Sequence, residues 1–234
     1  MKIIAHRGAP LFHQLENTLS TFMRAVRLGV DMVEIDVRVT KEGIPIVFHD
    51  NAIDRVTEGS GLVKHFSLNN VQKLKIGRET IPTVEEVIIA LNNETYFNFD
   101  VKVIEAIEPL KALIEKYGLV DKTLISSFDK DVIRELGDFR KRVKVGILTW
   151  FVTDRMISFA KEYKLNTIHP YYLPLTRKNV EEMQNEGFKV NAWTVDYIWS
   201  MKRMFDIDVD GIITNNPLLL NKVKETSESF AIDY

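Results

Sequence analysis

Glu34 and Asp36 stand two residues apart in Val33 to Thr40, a run rich in β-branched residues. In a strand their carboxylates leave one face while Val33, Ile35 and Val37 leave the other. The turn Lys41-Glu42-Gly43 and a second β-branched run, Ile44 to Phe48, complete a hairpin signal. The returning arm brings His49 and Asp50 back to the level that Glu34 and Asp36 left. Two carboxylates, an imidazole and a further aspartate then share one small volume. Like charges that close raise one another's pKa unless a cation lies between them, and hard oxygen donors suit Mg²⁺ or Ca²⁺. The chemistry expected is a divalent-metal site with a histidine beside it.

The elements that must hold these residues read as follows. Lys2 to Ala5 is a short apolar strand that runs into His6-Arg7-Gly8. Asn17 is placed to cap a helix carrying Leu19, Phe22, Met23 and Val26 on one face, with Gly29 at its end. After the hairpin, residues 51–81 fit neither strand nor long helix. They read as a small inserted cap, with Ser67 starting one short helix. Thr83 and Glu86 form a capping-box pattern. Strands are expected at Tyr96 to Val103, Thr123 to Phe128, Val143 to Trp150, Asn166 to His169, Lys189 to Val195 and Gly211 to Thr214. Helices are expected between them, near 105–117, 130–137, 154–163, 177–186 and 197–205. Asp129, Thr153, Thr176 and Asp196 stand at the N-cap positions, Gly118 and Gly187 at the C-terminal ends. Glu225 to Tyr234 reads as a frayed tail. With Ile44 to Phe48 counted as a return arm, eight strands alternate with helices in 234 residues. That pattern predicts a single-domain α/β TIM (β/α)8 barrel over residues 1–234, with an insertion after the second-strand hairpin. A doubly wound open sheet lacks the glycine-rich phosphate loop it would need after the first strand.

Composition narrows the partners. A formal charge of −2 from 31 basic and 33 acidic residues, with no basic run, disfavours nucleic acid. The absence of cysteine removes disulfides, thiolate zinc sites and a cysteine nucleophile. The first strand starts directly after Met1, which leaves no room for a signal peptide, and no apolar run reaches the ~20 residues of a membrane span. A cytoplasmic protein without membrane insertion is expected.

In a barrel of this type, catalytic groups lie at the C-terminal strand ends. His6 and Arg7 end the first strand, Asp100 and Lys102 lie on the third, Ser126 and Ser127 end the fourth, and His169 ends the sixth. Trp193 and Thr194 belong to the seventh, Thr214 and Asn215 to the eighth. Each has a plainer reading. An isolated D-x-K on a strand is more often a rim ion pair, and a tryptophan is as often core as contact. His169 stays open between substrate contact and rim histidine, while His13 and His65 read as surface loop residues. Beside Glu34 and Asp36, however, Asp100 completes a metal site and Lys102 offsets its charge or contacts a phosphate. A cation, Arg7 with its planar fork and two imidazoles, His6 and His49, can cleave a phosphodiester without an organic cofactor.

The chain resembles the glycerophosphodiester phosphodiesterase family. The resemblance is carried by HRG at His6 to Gly8, ENT at Glu16 to Thr18, Glu34-x-Asp36, and TKEGIPIVFHD ending at His49 and Asp50. It continues through IPTVEEV at Ile81 to Val87, Asp100-x-Lys102, NAWTV at Asn191 to Val195 and DGIITNNP at Asp210 to Pro217. It implies a TIM barrel and metal-dependent hydrolysis of deacylated phospholipids to glycerol 3-phosphate and an alcohol. It also implies His6 and His49 as the acid/base pair, Arg7 and Lys102 as phosphate contacts, and Glu34, Asp36 and Asp100 as ligands of Mg²⁺ or Ca²⁺. Two positions depart from the pattern. Asp100 stands where the family usually has glutamate, and Asn215 replaces the aspartate of the closing T-D-x-P. The alternatives are a lysophospholipase D- or C-type phosphodiesterase using the same rim, and a barrel that binds phosphodiesters without cleaving them.

Overall fold

The computed structural model describes residues 1–10, 15–92 and 94–230, the last four of these by backbone alone. Eleven strands are present among the described residues: β1 (Lys2–Ala5), β2 (Met32–Val39), β3 (Pro45–Val47), β4 (Lys75–Ile76), β5 (Glu79–Thr80), β6 (Tyr96–Val101), β7 (Thr123–Ser127), β8 (Lys144–Thr149), β9 (Thr167–Pro170), β10 (Lys189–Ala192) and β11 (Gly211–Thr214). In the main sheet β1, β11, β10, β9, β8, β7, β6 and β2 follow one another, and β1 pairs with β2 to close the ring. All pairs within the ring are parallel, so eight strands make the expected barrel. β3 lies antiparallel on β2, with Val37 opposite Val47. It is the return arm and not a stave.

The helices follow the apolar periodicity. They are α1 (Leu19–Arg27), α2 (Leu68–Val71), α3 (Val84–Leu91), α4 (Ile107–Lys116), α5 (Lys130–Glu135), α6 (Asp154–Glu162), α7 (Arg177–Asn185), α8 (Ile198–Asp206) and α9 (Pro217–Phe230). Side chains on the outer strand faces, such as Ile3, Val33, Ile35, Phe97 and Phe99, pack with helix residues such as Phe22, Val87, Leu110 and Met201 into one buried core. Inside the barrel, Ile4, Met32, Leu124 and Ile213 form a small apolar cluster. Residues 51–81 carry a separate cluster of Ile53, Val63, Val71, Ile76 and Ile81 against Ile46 and Phe48 of the return arm. No helix among the described residues is long and apolar enough to cross a membrane.

Most caps stand where the sequence puts them. Ser67, Thr83, Asp129, Thr153 and Thr176 all accept from backbone amides in their first turns. Two do not. Thr18, not Asn17, caps α1 through Thr21, because Asn17 is held in the left-handed region at φ 60° with its side chain turned toward β2. Tyr197, not Asp196, occupies the N-cap of α8, and it caps nothing with its side chain. Asp196 reaches across to the end of β11 instead. The expected frayed tail is also corrected: α9 continues the helix to Phe230, and 231–234 lie outside the described residues. Several strands end one to three residues sooner than expected, so Lys102 and Trp193 sit just past β6 and β10.

Candidate active site

In-register parallel pairing of β2 with β6 sets Asp36 beside Asp100 and Glu34 beside Asn98. Glu34, Asp36 and Asp100 are all buried, and one carboxylate oxygen from each lies within 4.8 Å of the others. Desolvation by burial pushes Glu34 well above its ordinary value, and the neighbouring carboxylates of Asp36 and Asp100 add to this. Asp100 is also pushed up, by burial and by Asp36, against the pull of Lys102. Asp36 goes the other way: burial opposes its charge, but Lys102 and Arg7 outweigh that and hold it far below the usual aspartate range. Two of three clustered carboxylates are thus left under-compensated.

Lys102 and Arg7 are the local cations. Lys102 places Nζ 2.8 Å from Asp36 Oδ1 and in contact with Asp100 Oδ2. Arg7 sits in the single turn after β1 with φ 51°, followed by Gly8 at 79° and Ala9 at 55°. This run of left-handed residues is costly for side-chain-bearing positions, a cost that clusters at functional sites. Glycine is required at position 8, where a Cβ would stand 2.5 Å from Thr21 Oγ1 of α1. The twist aims the Arg7 amide at Glu34 Oε2, 2.7 Å away, and its guanidinium at Glu16 Oε1, 2.8 Å away. Its Nε lies 3.3 Å from Asp36 Oδ2 but makes no aligned hydrogen bond. Asn17 donates from Nδ2 to Asp36 Oδ2 at 2.8 Å. The Asn17 carboxamide therefore positions the acidic cluster.

The two imidazoles meet the same pocket on different supports. His6 Nδ1 lies 2.9 Å from Asn215 Oδ1. Burial and the nearby Arg7 lower its pKa to about 3, which leaves it neutral in the folded protein. His49 Nδ1 lies 2.6 Å from Asp50 Oδ1. Asp50 in turn pairs with Arg55, whose other bond goes to Glu16. Arg38 fixes the arm by donating to the His49 carbonyl at 2.9 Å. A chain of ion pairs therefore runs from Arg7 through Glu16 and Arg55 to Asp50, which is hydrogen-bonded to His49, and Arg55 comes from the 51–81 segment.

All eight singled-out residues, His6, Arg7, Glu34, Asp36, His49, Asp100, Lys102 and Trp193, line one pocket of about 260 Å³ at the C-terminal end of the barrel. Its other wall is apolar: Phe128, Leu148, Trp150 and Trp193. Trp193 meets Trp150 at 4.7 Å and Phe128 at 5.2 Å between ring centroids, and its indole N–H donates to the His169 carbonyl at 2.7 Å. A larger hollow, about 520 Å³, opens at the opposite end among Lys2, Tyr96, Lys144 and Lys189 and holds none of the eight.

His169 is not brought to the site. It is fully buried inside the barrel, with Nε2 2.9 Å from Thr167 Oγ1 and 3.1 Å from Asn191 Nδ2, and burial lowers its pKa to about 3. His65 is exposed in the 51–81 segment, and His13 lies outside the described residues. Sequence reasoning missed the supporting roles of Asn17, Arg55 and Asp196. Asn17 sits inside the ENT motif, and that was its one available signal.

Over residues 6–219 the chain matches the model of the Glycerophosphoryl diester phosphodiesterase family. A glycerophosphodiester phosphodiesterase of Caldanaerobacter subterraneus is 34% identical over 95% of this chain and 98% of its own. One of Bacillus subtilis is 28% identical over 95% and 86%. Among solved structures, an Oleispira antarctica phosphodiesterase in complex with the product sn-glycerol-3-phosphate superposes with a TM-score of 0.90 at 23% identity, covering 96% of this chain and 97% of that one. A glycerophosphodiester phosphodiesterase of Thermotoga maritima gives 0.82 at 23% identity, over 95% and 98%.

Proposed function

The chain belongs to the glycerophosphoryl diester phosphodiesterase family, and from that premise we propose that it hydrolyses glycerophosphodiesters to glycerol 3-phosphate and an alcohol with the help of a divalent cation. The observation that carries this reading is the convergence of three buried carboxylates, two cationic side chains and two imidazoles in one pocket. The donor set fits the cation. Asp100 Oδ1 is buried with no hydrogen-bond partner, and burial together with the neighbouring carboxylates holds Glu34 and Asp100 above their ordinary values. Glu34, Asp36 and Asp100 would hold it, and an all-oxygen set suits Mg²⁺ or Ca²⁺. When bound, such an ion acts as a Lewis acid on a phosphoryl oxygen and lowers the pKa of bound water.

The side chains have separable tasks. Arg7 and Lys102 present donors to the non-bridging phosphate oxygens, and the unaligned Arg7 Nε is a donor still to be satisfied. His6 and His49 exchange protons with the attacking and leaving oxygens. Phe128, Trp150 and Trp193 give the carbon part of the substrate an apolar wall that keeps water from the reacting face. Incubation with glycerophosphocholine, coupled to detection of glycerol 3-phosphate with and without EDTA, tests the reading. Absence of chelator-sensitive release across several head groups overturns it.

One observation favours a second reading. Trp150 and Phe151 are 53% and 66% exposed beside the pocket, a surface suited to the acyl chain of a lysophospholipid. Release of head group from lysophosphatidylcholine without glycerol 3-phosphate marks that activity.

A further inference from the structure

Asn215, just past the end of β11, and Asp196, set beside the N-cap of α8, form a unit behind His6. Asp196 Oδ2 accepts from Asn215 Nδ2 at 2.7 Å, while Oδ1 accepts from the Asn215 backbone amide at 2.8 Å and from Thr214 Oγ1 at 3.0 Å. Three donors converge on one carboxylate, which has no hydrogen to offer when ionised. This fixes the orientation of the neighbouring amide. Were Asn215 turned over, its carbonyl oxygen would face Asp196 Oδ2 at a hydrogen-bond distance with no proton between them. The amide nitrogen is therefore committed to Asp196, and Oδ1 is the atom left facing His6 Nδ1, 2.9 Å away. A carbonyl oxygen can only accept, so Nδ1 must carry the hydrogen.

We infer that Asp196 and Asn215 are positioning residues that lock His6 in its Nδ1–H tautomer and leave the Nε2 lone pair for the pocket. The inference rests on the proposed hydrolase reading only for its consequence in catalysis; the tautomer itself is a property of the resting protein. The arrangement separates two effects that a single aspartate would combine. An aspartate at 215 would orient the ring and place a negative charge against it. Here the amide orients the ring, and the charge is held one residue further back, on Asp196. His6 is thus offered to the pocket as a neutral proton acceptor at Nε2. His49, whose Nδ1 faces the Asp50 carboxylate directly, has the other kind of support.

Reversing the pair provides the test. Asn215→Asp alone sets two carboxylates against each other, and Asp196→Asn alone sets amide against amide with no fixed orientation. The double variant Asp196→Asn/Asn215→Asp restores one donor and one acceptor with the roles exchanged, and Nδ1–H of His6 again finds an oxygen. Nitrogen-15 correlation spectra of the histidine rings, assigned with His6→Gln, report the tautomer without any turnover. The expected result is Nδ1–H alone in the parent and the double variant, and mixed tautomers in Asn215→Leu. Activity is expected to fall about 10-fold or more in kcat for each single variant, as part of the roughly 10²–10⁴-fold that a correctly protonated general base contributes, with KM little changed. The double variant is expected to recover most of that loss. Retention of the Nδ1–H form in Asn215→Leu, an Nε2–H signal in the parent, or a double variant no better than the singles while all keep the parent's Tm, overturns the inference. A parent protein that hydrolyses nothing while showing the Nδ1–H signal would count against the proposed reaction and leave the tautomer assignment standing.

Discussion

At the scale of single residues the acidic cluster contains two kinds of carboxylate. Asp36 is matched by Lys102, Arg7 and Asn17, so Asp36→Ala takes one of two carboxylates from Lys102 and from Arg7, strips the Asn17 amide of its acceptor, and is expected to cost about 1–3 kcal/mol. Burial and two neighbouring carboxylates disfavour charge on Glu34, and Glu34→Gln should cost no stability in EDTA, since the amide oxygen can still accept from Arg7. Urea titrations of both variants check the contrast, and equal destabilisation would refute it. The pH dependence follows the same division. Glu34 and Asp100 protonate more readily folded than unfolded, so the metal-free protein loses stability as pH rises above the ordinary carboxylate value of about 4.3 toward their raised folded values. Asp36 acts oppositely, contributing stability above its ordinary value that is lost as pH falls toward its depressed one. With Mg²⁺ present the upper decline should vanish. A parent-minus-Glu34→Gln difference in the metal-free urea midpoint that does not fall over this range would show that Glu34 is not under-compensated. That Glu34 and Asp36 share a face was legible from spacing, because strand geometry turns a gap of two into one side; that Asp100 lies beside them depended on the order of strands, which sets β6 next to β2. The support from Asp196 was not, since whether an aspartate caps its own helix or reaches another strand is decided by tertiary neighbours.

At the scale of elements the barrel's interior is organised by missing side chains. A Cβ on Gly146 of β8 would stand 2.2 Å from Thr167 Oγ1 and 3.1 Å from His169 Nε2, and one on Gly211 of β11 would stand 2.4 Å from Asn191 Oδ1. These two glycines make room for the buried polar group of Thr167, His169 and Asn191. Gly146→Ala is expected to destabilise by about 1–3 kcal/mol through overpacking, measured by thermal or urea unfolding, with an unchanged Tm as the contrary result. His169 gives a further expectation. Its folded pKa of about 3 lies below the ordinary histidine value, so the unfolded chain binds its proton first and stability falls as pH drops from about 6.5 toward 3. Acid titration of His169→Asn should show a shallower loss over that range than the parent, and an equally steep one would place the acid sensitivity elsewhere. Alternation of strand and helix was readable from periodicity, and the return of β3 along β2 from the turn at Lys41-Glu42-Gly43. The strand ends were less readable, because β-branched residues continue to Val103 and Val195, past the last strand residues, Val101 and Ala192.

At the scale of the whole molecule, closure of the ring by β1 and β2 joins the first polar turn to the second and third staves. His6 and Arg7, far in sequence from Asp100, share its pocket for that reason. A cation held by carboxylates of two neighbouring staves, β2 and β6, should tighten their pairing. At a free concentration about 100 times its Kd, Mg²⁺ or Ca²⁺ is expected to add about 2.7 kcal/mol to unfolding, seen as a rise in Tm that EDTA reverses and Glu34→Gln abolishes. No rise with either ion would argue against the triad as ligands.

The wall opposite those carboxylates has an optical consequence. The chain has three tryptophans: Trp150 and Trp193 line the pocket, and Trp199 lies 6.1 Å from Tyr172 at the start of α8. Every indole thus lies on the loops and helix start that follow β8 and β10, so intrinsic emission reports on that end of the barrel alone. Seating of glycerol 3-phosphate should shift the spectrum to the blue as Trp150 sheds solvent, and Trp150→Phe should silence most of the change while the protein stays folded. The molecule carries its own gauge of occupancy, readable without a label.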